Sequence, residues 1–250
     1  MGTITAIQWT DHTFNPWWGC TKISPGCQNC YAETLAHRYG TAWGAQGERR
    51  QMADSTWKES VKWDRAAAAA GHRARVFCSS MADVFENNVQ VAEARLRLWQ
   101  VVESTPALDW LLLTKRPENI TSMVPAAWLQ AAPANVWYGT SVENQKTAER
   151  RLPHLLGVPA VVRFLSCEPL LEPVSLAAWL HGVQWVITGG ESGAKARAAD
   201  PEWFRSIRTE CAAAGVSYFH KQNGGRGKDK GGEALDGHLW RSLPVMAVAL

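Results

Sequence analysis

Six short apolar runs recur along the chain, most of them closed by a polar residue: 75–79 (RVFCS), 110–114 (WLLLT), 136–140 (VWYGT), 161–166 (VVRFLS), 185–188 (WVIT) and 217–220 (SYFH). They are continuously apolar and do not alternate, which is the pattern of strands covered on both faces. A seventh strand is expected near the start, at 4–9 or at 13–17. The segments between the runs read as helices. These are 28–39 before Gly40, 56–70 before Gly71, 91–103 with Leu96, Leu98, Trp99 and Val102, 143–156 after a Thr-Ser start, 173–181 opened by proline, and 201–214 between Pro201 and Gly215. Proline in the first turn and glycine just past the last are start and stop signals. Strand–helix alternation predicts an α/β fold with a parallel sheet and helical crossovers. Seven strand candidates favour a partial or closed (β/α) barrel of about six to seven strands over a doubly wound sheet.

No repeat or composition shift divides the 250 residues, so one domain is expected over 1–250, a length that suits a barrel. Residues 224–232 (GGRGKDKGG) read as a mobile basic loop before a short C-terminal segment, either a solvated linker or a phosphate clamp. A hydrophobic share of 46% excludes wholesale disorder. The net charge of +3 permits a polyanionic partner without demanding one. No apolar run approaches the ~20 residues of a membrane span, and the first 14 residues lack a signal-peptide pattern. A cytoplasmic protein with no membrane partner is expected, and in that reducing setting clustered thiols suit a metal better than disulfides.

Three of the six cysteines form the densest chemistry in the chain, Cys20, Cys27 and Cys30, spaced C-x6-C-x2-C. Three thiolates on one loop suit zinc or an iron–sulfur cluster. Structural zinc wants a fourth protein ligand, and no second C-x2-C or H-x3-H pair is present; His12, His37 or Cys78 would have to fold back. A [4Fe–4S] cluster on three cysteines leaves one iron open for a small molecule. A structural zinc knot and incidental buried thiols are the plainer alternatives. A zinc deaminase is excluded, because His12 is followed by Thr13-Phe14 and Gly26 separates Pro25 from Cys27.

The run NPWWGC (15–20), with CQNCYA (27–32), resembles the cluster loop of radical S-adenosylmethionine (radical SAM) enzymes, particularly the spore photoproduct lyase-like branch. The whole chain is similar to a phage-associated, largely uncharacterised family of three-cysteine-motif proteins. The matching segments are SSMADVFE (79–86), LLLTKRP (111–117), GTSVEN (139–144), LSCEPL (165–170), TGGESG (188–193) and HKQNGG (220–225). Two features depart from the general radical SAM pattern: the first gap is three residues longer than in C-x3-C-x2-C, and Asn29 stands where an aromatic residue usually precedes the last cysteine. The resemblance implies a radical SAM-type barrel in which Cys20, Cys27 and Cys30 hold [4Fe–4S], the open iron chelates SAM, and reduction yields a 5′-deoxyadenosyl radical.

Each strand candidate ends in polar residues, and six polar strand ends in register build a ring around one mouth, where parallel α/β folds gather ligands. For SAM in that mouth, Lys115 or Arg116 suits the carboxylate. Glu143 or Asn144 suits the ribose. Gly189 and Gly190 let backbone approach the adenine. Ser141, Glu168 and Glu191 complete the expected cofactor site. Cys167, between Ser166 and Glu168, is the candidate hydrogen-atom donor or second redox ligand, whereas Cys78 and Cys211 read as core. A nucleic-acid base or nucleotide is the expected substrate, from the lyase-like loop, the basic 221–230 stretch and tryptophans able to stack bases. Reduction implies an electron donor such as flavodoxin or ferredoxin. The competing reading is a zinc-stabilised nucleic-acid- or partner-binding module without turnover. Of the 14 tryptophans, Trp110, Trp137, Trp185, Trp99, Trp179 and Trp203 are expected in the core, and Trp17 and Trp18 beside the cysteine loop.

Overall fold

A computed structural model describes Thr5 and residues 7–244. Its main sheet has seven parallel strands: β1 (His12–Phe14), β4 (Ala74–Cys78), β5 (Leu108–Thr114), β6 (Val136–Ser141), β7 (Val162–Cys167), β8 (Trp185–Gly189) and β9 (Ser217–Gln222). They lie in chain order, β1-β4-β5-β6-β7-β8-β9, so each crossover advances one strand. The sheet curls into a half-barrel whose edges, β1 and β9, are not paired with each other among the described residues. The expected partial barrel of about seven strands is thus the fold. β2 (Trp17–Trp18) and β3 (Arg50–Gln51) form a separate antiparallel ladder. Helices α1 (Tyr31–Arg38), α2 (Asp54–Ala69), α3 (Ala92–Glu103), α6 (Gln145–Leu156) and α7 (Pro201–Ala214) supply the crossovers other than β7–β8, with the short α4 (Ile120–Met123) and α5 (Ala126–Gln130) between β5 and β6.

Continuous apolar runs arise because the strands are covered on both faces. Outward residues such as Leu112, Tyr138, Leu165 and Val186 pack with Leu98, Leu152 and Ile207 from the helices. The inward face carries a second core of Trp9, Phe77, Leu111, Trp137, Phe164, Trp185, Ile187 and Phe219. Trp185 sits at its centre, with ring centroids 5.9 Å from Phe164, 6.1 Å from Trp9, 6.2 Å from Phe219 and 6.3 Å from Trp137. Three of those contacts are near-perpendicular, the edge-to-face arrangement that aromatic quadrupoles favour. Gly139 makes the layer possible: a Cβ there would lie 2.3 Å from the Phe164 ring. This aromatic layer fills the half-barrel below the carboxyl ends of the strands, where a cavity opens.

Three expectations are corrected. The first strand is 12–14, overlapping the second of the two candidate ranges. In the first range, residues 7–9 form a turn that buries Trp9, and Ile4 and Ala6 lie outside the described residues. Residues 173–181 are not a helix. The Ser175 amide donates to Gln145 Oε1 at 3.0 Å and the Leu176 amide to Glu210 Oε2 at 2.5 Å, so side chains from α6 and α7 hold the segment open. Trp179 accordingly precedes a single 3₁₀ turn, Leu180–Gly182. The helix expected from 28 begins at Tyr31, because Cys30 is extended and Pro25–Cys27 forms a 3₁₀ turn. Among the described residues, no helix is long and apolar enough to cross a membrane.

Candidate functional site

The two-residue period of each strand decides what reaches the mouth. In β7, Phe164 belongs to the inner aromatic layer and Ser166, two residues on, lines a cavity above it. The same inward columns end in Ser79, Lys115, Ser141, Glu168 and Lys221, all lining that cavity. Cys20, Cys27 and Cys30 line it from the opposite wall.

Four strand ends hold the cysteine loop in place. After β4, the Met81 carbonyl accepts from the Gly19 amide at 3.0 Å. After β5, Arg116 donates to the Thr21 carbonyl at 2.7 Å and to Asp83 Oδ2 at 2.8 Å, and its Nη1 lies 3.8 Å from Cys20 Sγ. Beyond β6, Glu143 accepts from Ser24 Oγ at 2.8 Å, and beyond β8, Glu191 accepts from Asn29 Nδ2 at 2.9 Å. Two arginines stiffen this frame. Arg49 makes a buried fork with Glu86 at 2.7 and 2.8 Å while donating to Thr21 Oγ1 at 2.9 Å. Arg197 bonds Glu191 and reaches the Pro25 carbonyl at 3.1 Å.

Burial sets the electrostatics. Desolvation pushes the Cys20 thiol up to about 12, helped by the Asp83 carboxylate and opposed by Arg116. Desolvation also raises Cys30. Glu143 moves the other way: burial acts upward, but Lys115 at 3.2 Å and Arg151 at 2.8 Å hold its carboxyl below the ordinary range. For Glu191, burial is likewise outweighed by Arg197 and Asn29. Three cavity-lining polar atoms, Trp9 Nε1, Ser79 Oγ and Glu168 Oε1, are buried with no hydrogen-bond partner among the described residues; Glu168 Oε1 has only the ionic contact with Lys221 Nζ at 3.1 Å. Buried polar atoms are usually satisfied, so Trp9 Nε1 and Ser79 Oγ mark where a polar ligand or water belongs.

The sequence profile described as "Protein of unknown function (DUF5131)" matches residues 4–244. The chain belongs to that family. No curated protein and no solved structure matches it.

In this DUF5131 member the structure brings Cys20, Cys27, Cys30, Lys115, Arg116, Ser141, Glu168, Gly190 and Glu191 to one cavity. Several have duties that sequence reasoning did not assign. Arg116 is engaged with Asp83, Thr21 and Cys20, so it holds the cysteine loop. Glu143, fully buried, ties that loop to Lys115 and Arg151. Gly190 has no side chain because the Asn223 carbonyl would lie 2.1 Å from its Cβ; the bare backbone serves the approach of the β9 end. At Gly189 a Cβ would collide with Glu168 Oε1 at 2.4 Å.

Four expected site residues do not line the cavity: Glu143 and Gly189, which lie just behind it, and Asn144 and Cys167, which serve elsewhere. Asn144 caps α6: its side chain accepts from the Thr147 amide at 2.9 Å and completes a capping box, which occupies the group expected at a ribose. Cys167 follows Ser166 by one residue and therefore points to the opposite face. It is fully buried in the sheet–helix core, where desolvation raises its thiol well above the ordinary value. Cys78 and Cys211 are core, as expected. Trp17 lies in the same core, whereas Trp18 packs with Ala32, Ala36 and Met81 beside Cys30. Sequence reasoning missed Trp9, Ser24, Asn29, Arg151 and Arg197. Ser24 and Asn29 sit inside the cysteine motif and were findable there, whereas nothing local flags a helix arginine such as Arg151.

The three thiols can be weighed against the expected metals. None of the candidate fourth ligands joins the three cysteines at the cavity: Cys78 is core, His12 stacks on Trp63 at 4.4 Å, and His37 is exposed beside a different groove. Among the described residues no three His, Cys, Asp or Glu side chains converge on a single-ion site. One zinc ion at about 2.3 Å from each sulfur needs sulfurs about 4 Å apart. A cluster would bind each thiolate through a different iron, and Cys20, Cys27 and Cys30 all line one cavity.

Proposed function

We propose that this cavity is the active site of a radical SAM-like iron–sulfur enzyme acting on a nucleic-acid base or nucleotide. The observation that carries the reading is the meeting of Cys20, Cys27 and Cys30 with the Lys115, Ser141, Ser166, Glu168 and Lys221 columns around one cavity. Cys20, Cys27 and Cys30 would hold a [4Fe–4S] cluster, whose chemistry when bound is one-electron cleavage of SAM to methionine and a 5′-deoxyadenosyl radical. The protein's own part is binding and exclusion. Lys115 and Lys221, each paired with a carboxylate, orient an anionic group such as an α-carboxylate. Ser79 and the Trp9 indole offer unsatisfied polar atoms to hydroxyls or ring nitrogens. The aromatic layer keeps bulk water from the floor, which protects a reactive radical. Arg116 and the strand-end anchors fix the loop so that the three thiols stay on the wall of the cavity. The reading includes an external donor such as flavodoxin or ferredoxin, a reducing cytoplasm, and the phage-associated kinship that the motifs imply.

Anaerobically purified protein is expected to be brown, with about four iron and four sulfide per chain. Dithionite with SAM is expected to release 5′-deoxyadenosine, and Cys27→Ala to lose the iron. Colourless protein carrying about one zinc per chain would refute this reading in favour of a binding module without turnover.

A further inference from the structure

A second concavity lies outside the cavity, between α1 and residues 192–195. The two share a wall: Asn29, Cys30, Tyr31 and Ser192 line both. The outer one is the larger, about 680 Å³ against 220 Å³, and it opens as a groove on the surface.

Its charge is one-sided. Lys22, Arg38 and Lys195 line it together with a single carboxylate, Glu33, which Lys22 holds at 2.6 Å. The Arg38 and Lys195 side chains are exposed and have no ionic partner among the described residues. The 224–232 loop continues the same rim. Its stem bonds to the strand end beside the groove, Gly225 N to the Glu191 carbonyl at 2.8 Å and Gly193 N to the Gly225 carbonyl at 3.1 Å. Beyond that stem Arg226, Lys228 and Lys230 are exposed, with Asp229 the loop's one acid. Groove and loop together carry six cations against two acids, a local excess of +4 within a chain whose net charge is only +3. Tyr31 stands at the junction. It is 53% exposed, and its hydroxyl donates to the Ser80 carbonyl at 3.1 Å across the cavity mouth.

We propose that this groove binds the phosphodiester backbone of a single-stranded nucleic acid. Arg38, Lys195 and the 226–230 loop neutralise phosphates, and Tyr31 stacks on the base next to the one that enters the cavity. Unpaired cations spaced along a concave path suit an extended polyanion. An aromatic ring at the junction suits a base with both faces free, since a duplex would first have to flip it out. The inference deepens the functional reading by naming the strand as the substrate class, and the groove's binding itself requires no metal.

The test is fluorescence anisotropy of a labelled mixed-sequence single-stranded 12-mer with the full-length protein as purified, across a salt series. Binding is expected to weaken steeply with salt. Arg38→Ala/Lys195→Ala is expected to weaken it at least about tenfold and to flatten the salt slope by about 0.7 for each phosphate no longer neutralised. Tyr31→Ala is expected to cost at least about fivefold, the low end of one base–aromatic stack. Circular dichroism and the unfolding midpoint report whether each variant is folded; both are expected unchanged in the exposed Arg38/Lys195 double variant, whereas Tyr31→Ala also loses the bond to the Ser80 carbonyl and is expected to keep its circular dichroism with a slightly lower midpoint. Absence of binding at low salt, or binding that ignores these substitutions, overturns the proposal. So does equal competition by a free mononucleotide, which would make the groove a phosphate site. Capture of an acidic flavodoxin in place of the oligonucleotide, abolished in the same variants, overturns it in favour of a donor-docking face. If the 12-mer fails to bind while SAM is still cleaved, the groove assignment falls alone; if it binds to protein that never holds iron, the cavity reading falls alone.

Discussion

Glu143 offers the sharpest test of how the cysteine loop is held, and the perturbation is Glu143→Gln. The carboxylate is fully buried, accepting from Ser24 and Arg151 at 2.8 Å each, with Lys115 at 3.2 Å. Glutamine keeps the volume and one acceptor but removes the charge. Arg151, equally buried, then retains only the Ser141 carbonyl at 2.8 Å, and its Nε and Nη2 already lack partners. Removing one member of a buried ion pair costs about 3–5 kcal/mol. The surviving bond to Ser141 places this case near 3 kcal/mol, about 6–12 °C in midpoint for a domain of this size. Urea unfolding of the two proteins measures it. The pH dependence gives an independent reading. Because Glu143 is held below the ordinary glutamate value of about 4.3, its stabilisation is complete above that value and is lost as pH falls through the folded-state value. The difference between wild type and Glu143→Gln should therefore shrink below about pH 4. A loss under 1 kcal/mol at pH 7, or a difference that does not shrink in acid, would refute the buried-hub account.

Two further outcomes follow from the same geometry. Gly190→Ala is expected to destabilise the β8–β9 end by about 1–3 kcal/mol, because its Cβ would lie 2.1 Å from a backbone oxygen that cannot rotate away; unfolding by urea checks it. Cys167→Ala is expected to lower stability by about 1 kcal/mol with iron content and SAM cleavage unchanged, since the thiol faces the helices; loss of cleavage in a folded, iron-loaded variant would put Cys167 back at the site.

Much of the fold was legible because its signals are local. The continuous apolar runs located six strands within a few residues, and Gly215, with φ of +68° at the end of α7, ended its helix where the stop signal stood. The failures came where side chains from distant segments overrode local preference. Residues 173–181 begin like a helix, but Gln145 and Glu210 take the amides of Ser175 and Leu176. The two short helices after Pro117 and Pro125 are too brief for periodicity to register.

For the site, the sequence by itself determined which chemistry was present: three cysteines on one loop and polar residues closing the strands. Only the tertiary structure decided how each is used. Ser166 and Cys167 are neighbours in sequence, yet the strand's pleat sends one to the cavity and the other to the core. Asn144, Arg116 and Glu143 looked alike as polar residues beyond strands. Their hydrogen bonds separate a helix cap, a clamp on Cys20 and a buried tie to Arg151. A residue's type is written locally. Which face it occupies and whether its polar atoms are already satisfied depend on partners dozens of positions away, which only folding brings within reach.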